Sequence, residues 1–171
     1  MKHITIIIES GRRYDTIMLT PHWKQYVISQ LPTLLNVTGL VALILLKDMP
    51  TFMKVSLILL AVAGAAIIGY TATDMARRRY VVTDEQIIFH HGVLARATEY
   101  LELYRVVDYQ QDRTIMQQLT GMKSITIFSG DRNTPQLNII GVENHVNIIP
   151  EIRRRVEYNK KRRGVYEITN R

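Results

Sequence analysis

The chain has 171 residues, no cysteine and a formal net charge of +7. That length suits one ordinary domain with a smaller addition, and the lack of cysteine excludes disulfide staples, thiolate metal sites and cysteine nucleophiles. The charge is uneven: residues 152–171 hold eight Lys/Arg against two Glu, while residues 80–151 hold five basic and nine acidic residues, a net of −4, so the basic character belongs to a tail and not to a domain.

In chain order, residues 1–22 come first, read as an N-terminal cytoplasmic segment. "HITIII" and "YDTIML" flank "ESGRR" and could form a β-hairpin. The apolar run "ITIII" is too short for the core of a signal peptide, and no small-residue cleavage site follows it.

Residues 23–76 read as a transmembrane helical hairpin. Lys24 and Lys47 bracket 22 residues without formal charge, and Lys54 and Asp74 bracket another 19. At about 1.5 Å of rise per residue each stretch reaches roughly the 30 Å hydrocarbon thickness. A buried helix of a soluble domain would carry a polar face at helical spacing, and Leu40–Leu46 and Val55–Ile68 carry none. The spans are placed at about 25–46 and 55–73. The short link "KDMPTFMK" forces them antiparallel, with Pro50 aiding the turn. Ala61, Ala65 and Gly69, spaced by four, form a small-residue stripe suited to close helix packing within the hairpin or between protomers.

Positive charge flanks the hairpin: Arg12, Arg13 and Lys24 before it, Arg77, Arg78 and Arg79 after it, against Lys47 and Lys54 in the loop. The positive-inside rule then puts both termini in the cytoplasm, with Trp23, Tyr26 and Tyr70 as an aromatic belt. Arg77–Arg79, Trp23 and Lys24 are the expected contacts with lipid headgroups.

After the arginines the period shortens to that of strands. "RYVVT", "QIIFHHG", "RATEYLELY", "VVDYQQDR", "SITIFSG" and "QLNIIG" read as strands, and "TIMQQLTG" as a helical turn ended by Gly121. Val146, Ile149, Ile152 and Val156 mark one face of a C-terminal helix. Beyond it, residues 158–171 read as a basic tail.

The order of these pieces resembles the bacterial pleckstrin-homology-like (PH-like) membrane proteins. It is carried by "YVVTDE", "HGVL", "YRVVDYQQ" running to "LTG", "ITIFSGD" and the "IIGVEN" step into the helix, and covers about residues 25–157. The resemblance implies an α+β membrane protein: a two-helix hairpin, then a PH-like antiparallel β-barrel or sandwich over residues 77–157, capped by the C-terminal helix. It offers no catalytic motif.

The residues themselves supply no catalytic or metal site. His90 and His91 are adjacent, so on a strand they face opposite sides. Glu99 and Glu102 likewise diverge, Ser129 lacks a histidine partner, and no glycine-rich phosphate loop is present. Neither enzyme activity nor a cofactor is expected.

Three functions remain. The first is a scaffold at the cytoplasmic face of the bacterial inner membrane, binding a protein partner or another copy of itself through exposed strand edges. The second is anionic-lipid binding, to which the dispersed Arg96, Arg105, Arg113, Lys123 and Arg132 are poorly suited and the tail better suited. The third is nucleic-acid binding by Arg153, Arg154, Arg155, Lys160, Lys161, Arg162 and Arg163, which lacks any base-reading motif.

Overall fold

The computed structural model describes residues 4–7, 13–47 and 49–165. The turn of the N-terminal hairpin, Arg12, and the last six residues of the expected tail lie outside the described residues. Strands β1 (Ile4–Ile7) and β2 (Thr16–Leu19) lead into helices α1 (Trp23–Ile44) and α2 (Thr51–Arg77). Strands β3 (Arg79–Val82), β4 (Gln86–His91) and β5 (Ala97–Glu102) follow, then a 3₁₀ turn at Leu103–Arg105. β6 (Val106–Asp112), helix α3 (Ile115–Thr120), β7 (Met122–Ser129), β8 (Gln136–Glu143) and helix α4 (Ile149–Arg162) complete the chain.

All strand pairs are antiparallel, in a five-stranded sheet ordered β1-β2-β3-β4-β5 and a three-stranded sheet ordered β6-β7-β8. Alternation along the strands sends one face of each sheet into a shared core: Tyr80, Val82, Ile87, Leu101, Ile125, Ile127, Leu137 and Ile139 are buried together. Ile152 and Val156 of α4 enter the same core, and the helix closes it as its apolar spacing predicts.

Alternation fails once in β8, at Gly141. The register with β7 shifts there, and Gly141 takes φ +70. A bulge with a left-handed residue needs glycine, because a side chain would clash with its own backbone.

The N-terminal segment is not a unit apart. β2 pairs with β3, with Leu19 opposite Tyr80. The two long helices are thus inserted between adjacent strands of one sheet. Only residues 20–22 separate β2 from α1, and only Arg78 separates α2 from β3.

The helices contact each other along a narrow seam. Partly covered residues recur at Tyr26, Gln30, Thr33, Val37, Leu40 and Ile44 on α1, and at Leu57, Ala61, Gly64 and Ile68 on α2. Alternating steps of three and four keep two helices in register over several turns, whereas steps of four drift around the helix. Hence Gly64, and not Ala65 or Gly69, meets α1. A Cβ at Gly64 would lie 2.6 Å from Val37 Cγ2, while one at Gly69 would meet nothing. Of the small-residue stripe, only Ala61 faces the hairpin partner; Ala65 and Gly69 are exposed.

Tyr80, the first core residue after α2, stacks on Phe89 with ring centroids 4.6 Å apart. Burial pushes its phenol up to about 12. A tyrosine in the unfolded chain ionises near 10, so between these values the unfolded state binds fewer protons and stability falls as pH rises. Thermal unfolding in detergent at pH 9 and pH 11 should show Tyr80→Phe losing about 1–2 kcal/mol less than the parent over that interval. An identical pH dependence in both proteins would refute the assignment.

Candidate functional site

The sequence singles out the junction between the helices and the sheet, and the fold makes it a clasp. At the start of α1, His22 caps the helix, its Nδ1 accepting from Lys24 N–H at 3.1 Å. Its own N–H donates to Gly141 O at 3.0 Å. Gln25 is buried one turn on, and its Oε1 accepts from Gln117 Nε2 at 2.8 Å.

Gln117 is the hub of this side. Its Oε1 accepts from Thr114 N–H, closing a capping box on α3, while its Nε2 also reaches Ser124 Oγ at 2.8 Å. A buried amide with all these partners satisfied orients its neighbours. Gly141 allows the approach: a Cβ there would sit 2.8 Å from Gln25 Cβ and 3.1 Å from His22 N.

The end of α2 is held as firmly. Asp74 Oδ2 accepts from Arg78 Nη2 at 2.7 Å and Nε at 3.0 Å, while its Oδ1 accepts from Gly92 N–H at 3.1 Å. Arg77 Nη1 donates to Val93 O at 3.2 Å. The arginine triplet therefore divides. Arg77 closes the last helical turn, Arg78 is tied to Asp74, and Arg79 opens β3 and is exposed.

Between the two attachments lies an open groove of about 940 Å³, walled by Trp23, Tyr26, Met75, Ala76, Arg79, His145 and Val146. Glu143 stands at its edge, 3.4 Å from His22 Nε2 and 3.5 Å from His145 Nε2. Trp23 is 64 % exposed. An exposed guanidinium and an exposed indole lining one groove offer charge to an anion and an amphipathic ring to an interface.

The distal basic run is not a free arm. Among the described residues, Arg154 and Arg155 bind Glu151, Arg162 binds Glu85 at 2.6 Å, and Arg163 binds Glu102 at 4.0 Å, all acids of the same domain. Arg153 lies over the Tyr109 ring at 5.7 Å, and Arg163 over Tyr104 at 4.3 Å. Arg155 corrects the sequence reading outright. It is 1 % exposed and donates to the carbonyls of Asp15, Val82 and Thr83 as well as to Glu151. Of the run, Lys161 is exposed and Lys160 partly covered. The boundary at residue 158 also dissolves, since α4 runs on to Arg162.

Arg105 pairs with Asp131 at 3.2 Å, and buried Lys123 donates to Asn144 O. Among the described residues no group of three or more His, Asp or Glu is placed to hold a metal ion. His91 and Glu99 meet as a cross-strand pair at 3.1 Å.

Both α1 and α2 are long and apolar enough to cross a membrane, and the most apolar 18-residue window of each is 0 % buried. That separates them from the core helices of a soluble domain, which pass the same length test but bury their apolar windows.

The family described as bacterial PH domain matches residues 30–156, from within α1 to within α4. No curated protein and no solved structure gives a match.

Proposed function

Because this chain belongs to the bacterial PH domain family, we propose that it is a membrane-anchored interaction scaffold at the cytoplasmic face of the bacterial inner membrane, working without catalysis in a membrane-bound assembly. PH-like domains as a class bind proteins or lipids. One observation carries the reading: two exposed apolar helices are inserted, through links of three residues and one, between adjacent strands of the domain's own sheet. A domain held at both crossings cannot tumble on a tether. It presents one fixed set of strand edges and loops to whatever shares the membrane surface.

The flanking charges support the orientation, with Lys24, Arg77 and Arg79 on the domain side. Contact with anionic lipid is the second reading, favoured by exposed Arg79 and Trp23 lining the same groove; each such cation is worth on the order of 1 kcal/mol near an anionic leaflet. Nucleic-acid binding loses ground, because the arginines it needs are engaged within the domain.

The test uses the full chain expressed in a bacterium. It should stay in the membrane pellet through a high-pH carbonate wash and come off only with detergent. A fluorescent protein fused at the C-terminus should fluoresce, and alkaline phosphatase fused there should be inactive. Copurification in mild detergent should bring down a partner or a multimer. Release by carbonate would remove the anchor, and a lone monomer would remove the scaffold.

A further inference from the structure

Helix α3 is amphipathic the wrong way round for a soluble domain. Its polar Gln117 is buried, 2 % exposed, while Ile115 and Leu119 are 75 % and 77 % exposed and Met116 43 %. A surface helix of a globular protein turns its apolar stripe inward. Exposure of this degree matches the long helices themselves, where Leu35 is 67 % and Leu59 65 % exposed. Ile115 and Leu119, four apart, share one face.

The position of α3 says what covers that face. Gln117 Nε2 is bonded to Gln25 Oε1, and Gln25 lies on α1 between Trp23 and Tyr26. Tyr26 Oη in turn donates to Ile68 O of α2 at 3.0 Å. So α3 abuts the hairpin where the apolar stretch of α1 begins and that of α2 ends, beside the aromatic residues. Exposed Arg113 flanks its start. The helix cannot roll to hide its apolar face: the capping box holds one end and Gly121, at φ +72, the other.

We propose that α3 lies in the bilayer interface, with Ile115, Met116 and Leu119 inserted among the lipid chains, as a third point of membrane contact beside the two spans. Apolar side chains on a short helix fixed at the headgroup level gain the same burial as an amphipathic interfacial helix, and a flanking arginine reaches the phosphates. This deepens the anchoring reading above and rests on it.

The cysteine-free chain allows the test in the full-length protein. Single variants Ile115→Cys, Leu119→Cys, Val62→Cys and Asn133→Cys are labelled with bimane and reconstituted into phosphatidylcholine–phosphatidylglycerol vesicles. Val62 lies mid-way along α2 and is 61 % exposed. Asn133 is in the turn between β7 and β8, at the far end of those strands from α3. Labels at 115 and 119 should be quenched by nitroxide on the lipid chains as the label at 62 is, and quenched several-fold less by aqueous iodide than the label at 133. If 115 and 119 behave like 133 while 62 is lipid-quenched, the insertion is wrong and the anchor stands. Shielding of 115 and 119 from both quenchers means that protein covers α3, and also overturns the insertion. If 62 itself is open to iodide, the anchor fails and the insertion with it.

Discussion

Replacing Arg155 with alanine should destabilise the domain by about 3–5 kcal/mol, the usual cost of removing one member of a buried, hydrogen-bonded charge pair. The guanidinium is 1 % exposed and ties together three parts of the chain: Glu151 on α4, Val82 and Thr83 at the end of β3, and Asp15 before β2. Without it, three carbonyls lose a charged donor and Glu151 loses the nearer and more buried of its two arginines. An unpaired buried acceptor costs about 1–3 kcal/mol, though the losses at one site do not simply add. Lysine keeps the charge but cannot reproduce a five-donor fork, so Arg155→Lys should recover only part of the loss. Arg154→Ala, one residue earlier and paired only at the surface, should change stability by no more than about 0.5 kcal/mol. At about 2–4 °C per kcal/mol for a chain of this size, Arg155→Ala should lower Tm by roughly 10 °C in detergent. A difference between the two alanine variants of less than a degree or two would show that Arg155 is no keystone.

Gly141→Val should cost about 2–4 kcal/mol and loosen the join between the domain and α1. A β-branched residue at φ +70 is strained by about 1–3 kcal/mol before any contact is considered. Its Cβ would also stand 2.8 Å from Gln25 Cβ and 3.1 Å from the backbone nitrogen of His22. The backbone cannot yield without breaking the His22 N–H to Gly141 O bond. Hydrogen exchange should therefore accelerate at the amides of residues 22–26 beyond its change in β7. Gly130→Ala is the control, since a Cβ there reaches only to 3.9 Å from Arg105 O and that glycine has no positive φ. Equal effects of the two substitutions would mean that Gly141 does not carry the clasp.

These residues also mark how much of the molecule is legible in one dimension. The apolar stretches place α1 and α2 within a few residues, because a helix facing no polar surface needs no periodicity to be seen. α2 nonetheless runs on to Arg77, since Asp74 and Arg77 find partners at Gly92 and Val93. Strand alternation locates β3 to β8, and Gly121 ends α3 as its position suggests. The inverted polarity of α3 is written in "TIMQQLT", but it has no meaning until Gln117 is seen to face Gln25.

By itself the sequence settles what is local: two long apolar helices, the alternating strands, the capped short helix, the terminal amphipathic helix and the family they compose. Each follows from residues within one turn or one strand of each other, where periodicity carries the signal. The tertiary structure alone decides that β1 and β2 complete the sheet across the inserted hairpin, and that Gly64, not Ala65 or Gly69, meets α1. It likewise decides that four arginines of the terminal basic run pair with Glu85, Glu102 and Glu151 of the acidic domain. Arg155 and Asp15 are 140 residues apart in the chain and 2.7 Å apart in the fold. A contact of that kind leaves no periodic trace, because only burial by the rest of the molecule turns one arginine of a basic run into its internal tie.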